Sequence, residues 1–260
     1  MSAESKYIKA PLWSLFLLLA LPSFAQEESD FPFYEGETIT YELTYQWGLI
    51  WADAGVATFT VGDTIVNDER YWRFSGLGVS YPKWNWFYEV NSLYESYATE
   101  DLTSQRFVRK GYEGSNIYDR DYHVKEDSIY YRIQDGEEFA RHGVMERKAA
   151  ALDVVTAIYY CRTIDFNQYE VGDKIPLLFY LDGNYYESYL RYSGIEIWED
   201  PETDEEIECI VFKPNLIKGT IFKEGERMEV YVTNDERKIP VYIETDLKVG
   251  KAKIHLVGRR

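Results

Sequence analysis

In TITYELTYQW, residues 38 to 47, Ile39, Tyr41, Leu43, Tyr45 and Trp47 alternate with Thr40, Glu42, Thr44 and Gln46. Successive side chains of an extended chain point to opposite faces, so a period of two predicts a strand with one face buried and one wet. The rhythm recurs at ATFTV, YWRFSG, WNWFYEV and RFVRK, from Ile117 to Val124 and from Ser128 to Ile133. It resumes at KIPLLFYL, YYESYLRYSGIEIW, EIECIVF, RMEVYV, IPVYIE and AKIHLV. Turn formers separate these runs: Asn67-Asp68, Gly111 to Gly114, Asp135-Gly136, Asp182-Gly183-Asn184, Lys223 to Gly225, Asn234-Asp235 and Val249-Gly250. Asp182-Gly183-Asn184 reads as the tip of a tight hairpin. About a dozen strands in sequential order predict a mostly β protein. Its core is a large curved antiparallel meander sheet, as a half-barrel, a barrel or a sandwich.

One segment breaks the alternation. KAAALDVVTAIYYCR, residues 148 to 162, is rich in alanine and apolar around most of a helical circumference. A helix of that kind is a buried one, and its β-branched residues leave tertiary packing to hold it. We expect it to be central, covering the concave face or one open end of the sheet. Asp153 stands at its front, where a carboxylate caps free N–H groups and meets the positive end of the dipole. Arg162 at its other end is expected to serve the last carbonyls.

The first 25 residues read as an export signal. Lys6 and Lys9 precede an apolar run from Leu12 to Leu21 that is too short to span a bilayer, and Ser23-Phe24-Ala25 supplies a cleavage site. No cysteine follows to carry a lipid anchor, so the expected location is the periplasm. Residues 26–260 read as a single β-rich domain without a membrane span. Cleavage leaves 26 basic and 44 acidic residues, a balance that excludes nucleic acid and disfavours anionic membrane surfaces. In an oxidising compartment Cys161, at the helix end, and Cys209, expected on the inward face of its strand, either pair or stay as free thiols.

YPKWNWFYEVNSLYESY, residues 81 to 97, puts seven aromatic rings into seventeen positions. As a strand, WNWFYEV turns Trp84, Trp86, Tyr88 and Val90 to the core, where each ring contributes roughly 1.5–3 kcal/mol. Trp47 and Trp51 flank Gly48-Leu49-Ile50 at a predicted turn, near the rim of a curved sheet. Trp47, Trp51, Trp84 and Trp86 are the candidate ligand-contacting residues. The run EIWEDPETDEEIE, residues 196 to 208, holds eight carboxylates without calcium-loop spacing and reads as a solvated hairpin tip. His123, His142 and His255 lack paired zinc-ligand spacing. No nucleophile elbow, phosphate loop or dinucleotide fingerprint appears, so no catalytic residue and no cofactor is expected.

GETITYELTYQWGLIWADAGVATF, LDVVTAIYYCR and VYVTNDERKIPVYIETDLKVGKAKIHL together resemble the exported bacterial proteins grouped as domain of unknown function 3108. Positions similar to the family's pattern are Gly36-Glu37, Asp153 with Thr156 and Tyr159, and Asp235 with Pro240. Thr156 stands where serine is commoner, and Asn234 departs from the usual small hydroxyl residue. The resemblance implies a β-rich envelope protein and brings no catalytic residues.

Three classes of function fit these observations. The first is a binding module whose curved sheet receives a lipid or other amphiphile. The second is a scaffold whose interior is filled by its own helix, with another envelope protein as partner. The third is a carbohydrate-directed protein or enzyme using exposed Trp and Tyr. We favour non-catalytic binding over scaffolding, and both over the third.

Overall fold

The computed structural model describes residues 31–260, except residues 67, 202, 217–224, 226 and 248–249 and the side chains of residues 47 and 50. The segment expected to be an export leader therefore lies outside the described residues, as does most of the turn at 223–225.

The first half of the chain forms β1 (Thr38–Trp47), β2 (Ile50–Val66), β3 (Glu69–Ser80), β4 (Val90–Ala98), β5 (Ser104–Glu113), β6 (Asn116–Lys125), β7 (Ser128–Asp135) and β8 (Arg141–Glu146). A short β9 (Ala151–Leu152) leads into helix α1 (Val154–Thr163). The second half forms β10 (Lys174–Leu181), β11 (Asn184–Glu199), β12 (Glu206–Pro214), β13 (Met228–Thr233), β14 (Pro240–Asp246) and β15 (Lys251–Arg259). All fifteen strands join one sheet, in the order 8-7-6-5-4-3-2-1-15-14-13-12-11-10-9. The first and last strands meet at its centre, with Leu43 opposite Ile254. Neighbours are antiparallel except β9 and β10. The large curved meander anticipated from the alternation is present, and its backbone ladder stays open between β8 and β9.

Side chains close what the backbone leaves open. On β10, Leu178 and Tyr180 pack into one apolar cluster with Phe74, Phe107 and Tyr122, while Ile175 and Leu177 pack into a second with Tyr192, Ile210 and Phe212. Both faces of β10 are therefore buried: the sheet rolls until this end lies against the inner face of β5 to β7. Across the seam Tyr180 and Tyr122 sit 5.5 Å apart, and Arg120 Nε donates to Asp182 at 3.0 Å. The Asp182-Gly183 tip is the two-residue hairpin expected, with φ of 48° and 75°.

Two expectations need correction. WNWFYEV is not a strand: Pro82 opens a 3-10 turn over Pro82–Trp84, and β4 begins only at Val90. Proline has no N–H for a ladder, and its φ suits the first position of a helical turn. The helix starts at Val154, directly behind the expected cap Asp153, but it is buried on one face only and not nearly all round. Val155, Thr156, Tyr159 and Arg162 are buried, the helix packing on β3, β4 and β10, whereas Ile158 and Tyr160 are exposed.

At Gly111, φ is 147° and a Cβ would lie 2.1 Å from the Asn91 carbonyl oxygen. Gly111→Ala should cost about 2–3 kcal/mol of stability. Gly62→Ala, whose nearest neighbour would be 3.9 Å away, should be nearly neutral. Urea denaturation of the two variants measures the difference.

Candidate functional site

The helix is tied into the sheet at both ends by buried polar groups. At its N-terminus the Asp153 carboxylate accepts the Val155 and Thr156 N–H groups on one oxygen, both at 2.9 Å. Its other oxygen accepts the Ser96 and Thr156 hydroxyls at 2.6 and 2.8 Å, and the Asp153 N–H donates to Ser104. This is the cap expected from the sequence, extended into β4 and β5. Arg162 does something different from the C-terminal capping expected of it. It forks onto Glu37 at 2.5 and 3.0 Å and donates to the carbonyls of Pro32 and Arg237. Arg162 and Glu37 are both buried, and the half-exposed Arg237 completes the cluster at 3.2 Å. An interior carboxylate is a stronger attractor for guanidinium than helix carbonyls. Glu37 lies 125 residues away, so no local pattern announced it.

The exposed apolar groups gather elsewhere. In an antiparallel meander alternate connections share one end, and four of them here carry large apolar side chains. Leu49 (97 % exposed) and Trp51 stand at the β1–β2 turn, and Trp86 (81 %), Phe87 and Tyr88 before β4. Ile117 follows the β5–β6 turn, and Phe139 (99 %) lies between β7 and β8. The segment from Tyr81 to Glu89 is held firmly. Trp84 is partly buried and its indole N–H donates to the Asp53 carbonyl at 2.6 Å. Tyr81 donates to Glu42 at 2.6 Å, and Glu89 accepts from Asn85 and Tyr112. The Tyr88 ring packs over Gly114, where a Cβ would come within 2.6 Å of it. The two Trp patches share this end without a contact between their rings among the described residues: Trp84 anchors on the Asp53 carbonyl, the Trp51 ring lies 4.7 Å from Lys253 Nζ, and Trp86 and Phe87 are exposed. The Trp47 side chain lies outside the described residues. Phe87, Ile117 and Phe139 went unmarked in the sequence; Pro82 was the signal for the first of these.

Above this rim, the inward register of Ile39 and Tyr41 continues through Leu43 and Tyr45, which are only half-buried. Ile254 and Ile243 adjoin Leu43 across β15 and β14, forming an apolar wall.

The family described as "Protein of unknown function (DUF3108)" matches residues 40–257. The chain belongs to this family. Among solved structures, it is similar to a "Beta-barrel-like Protein of Domain of Unknown Function DUF1849 from Brucella abortus". That likeness has a TM-score of 0.58 at 7% identity, covering 87% of this chain and 97% of the other. It is a likeness of fold. No curated protein matches. The positions by which the chain resembles DUF3108 proteins are mostly the buried ties just described. Glu37 and Arg162 pair, Asp153 meets Thr156, and the Tyr159 ring stacks 4.0 Å from Phe74. Asp235 accepts from Thr233 and from the N–H groups of Arg237 and Lys238, closing the turn before Pro240. Each has a structural role in holding helix to sheet.

The two cysteines of this DUF3108 chain are free thiols. Cys161 packs toward the second cluster, as do Ile210 and Phe212 of β12. Cys209 alternates with them and faces the opposite side, contrary to the inward position expected. The sheet thus separates the two sulfurs. Burial pushes Cys161 up to about 12 and Cys209 up to about 11, so neither is a ready nucleophile. Tyr118, whose hydroxyl lies 2.7 Å from Glu113, is likewise pushed up by burial. Among the described residues no three His, Cys, Asp or Glu side chains converge as metal ligands, and no helix is long and apolar enough to cross a membrane.

Proposed function

We propose that this is an exported, periplasmic envelope protein that binds a lipid or other amphiphile without transforming it. The observation that supports this reading is the set of apolar side chains at one end of the rolled sheet, on four alternate connections. Solvated rings held by a firm loop have no folding reason to be there, and contiguous exposed apolar surface marks an interaction site. The half-buried wall from Leu43 to Ile243 adjoins the rim and supplies further apolar surface for an acyl chain to lie on. The upper interior is filled by Phe74, Tyr159, Tyr122 and Tyr180, which favours the scaffolding reading for that half.

Native mass spectrometry of protein purified from its own envelope without detergent tests the proposal. The expected result is an added mass of one amphiphile. Zwitterionic phosphatidylcholine vesicles avoid repulsion by the net charge of −17. Trp86→Ser with Phe87→Ser should weaken vesicle binding roughly tenfold or more, since each ring contributes roughly 1.5–3 kcal/mol. A bare mass together with no vesicle binding supports the scaffold instead.

A further inference from the structure

The opposite end of the molecule carries a second opening, with an apolar floor and a polar border. A groove of about 390 Å³ lies where the end of α1 meets the β13–β14 turn, within the range of natural ligand pockets. Its floor is Phe166, Tyr192, Ile195 and Ile210. Phe166 is held between Phe212 at 5.7 Å and Tyr192 at 5.6 Å, so the floor is preformed. At Gly194, φ is 107° and the β11–β12 register shifts. Beyond that bulge Ile195 and Ile197 stay on the groove side but run past the core, 51 % and 60 % exposed.

Charge borders this strip on both sides. Asp165 accepts from Asn167 and Gln168, bonds that hold its carboxyl below the usual range. Asp235 accepts from the N–H groups of the turn it closes, and Glu236 stands exposed beside it. Glu208, opposite Ile197, accepts from Asn234 at 2.6 Å, and Glu199 pairs with Glu206 one step outward. Lys238 is the one cation among the described lining residues.

We propose that this groove docks a basic amphipathic segment of a partner polypeptide. Its apolar residues cover Ile195 and Ile197, and its Lys or Arg side chains meet the bordering carboxylates. Anionic amphiphiles are repelled by the same carboxylates, so this site differs in ligand from the aromatic rim and does not depend on it. The contact positions two residues apart on a strand lie about 7 Å from one another, a spacing that a polypeptide's side chains match.

The test is fluorescence anisotropy with two labelled model peptides of identical leucine spacing, one bearing lysines and the other glutamates. The lysine peptide should bind saturably at one site and weaken as salt rises. Ile195→Ser with Ile197→Ser should weaken it roughly tenfold, and so should Glu199→Gln, Glu206→Gln and Glu208→Gln together. Glu69→Gln, Glu137→Gln and Glu138→Gln, which remove the same charge elsewhere, should leave binding unchanged. All these positions are at the surface, and circular dichroism checks that each variant is folded. Equal binding of the glutamate peptide, indifference to the isoleucine changes, or an equal loss in the distant triple variant overturns the proposal.

Discussion

Glu37→Ala should lower the unfolding free energy by about 3–5 kcal/mol, a large part of the roughly 5–15 kcal/mol that holds a domain together. The loss arises from what remains. Arg162 would stay buried with two donors facing a void, and only the Pro32 and Arg237 carbonyls would still accept from it. The half-exposed Arg237 would be left beside it with no carboxylate between them. A buried guanidinium without its counter-ion cannot neutralise itself as a carboxyl can, so the fold takes the whole desolvation cost. Glu37→Ala combined with Arg162→Met should be less damaging than the sum of the two single changes, because the second removes the orphaned charge. Urea unfolding of the single and double variants measures this coupling. Strict additivity would mean that the pair does not hold the helix to the N-terminal segment.

Asp153→Ala should cost about 3 kcal/mol or more: the N-cap is lost, and the buried Ser96 and Thr156 hydroxyls are left to each other at 2.7 Å. Asp153→Asn keeps an oxygen for the Val155 and Thr156 N–H groups and should cost no more than about 1 kcal/mol at neutral pH. The two differ further in pH dependence. Burial outweighs the hydroxyl and backbone donors and raises the Asp153 carboxyl above its ordinary value. The folded chain therefore holds this proton more tightly than the unfolded chain. The stability that follows is fully present below the unfolded carboxyl's pKa and is lost as pH rises through the raised folded value. Asp153→Asn removes this contribution, so the native protein should lose more stability than the variant across that window. Thermal unfolding from acid to neutral pH compares the two slopes.

The period of two was legible because it is a local property. Ile39 and Tyr41 turn inward and Glu42 outward, whatever strand lies alongside. The cap at Asp153 was legible for the same reason, since the Val155 and Thr156 N–H groups it accepts lie within three residues; its bonds to Ser96 and Ser104 were not. WNWFYEV misled because aromatic residues imitate alternation, and only Pro82 argued against it. The rim could not be read from separate turns: Leu49, Trp86, Ile117 and Phe139 are scattered along the chain and share one end only through the meander. The groove escaped notice because Ile195 and Ile197 alternate as core residues would. A bulge at Gly194 and the limit of the second cluster leave them uncovered.

By itself the sequence determined a β-rich meander, the helix that interrupts it, the cap that starts that helix and a strongly acidic surface. Only the tertiary structure decided that the sheet rolls without closing, that Arg162 pairs with Glu37, that Cys161 and Cys209 face opposite sides, and that rings from 81–88 meet solvent. The division has one physical cause. Strand and cap follow from steric and hydrogen-bonding choices among adjacent residues, whereas burial and pairing depend on which distant surface arrives, and fifteen strands must be laid down before that is settled.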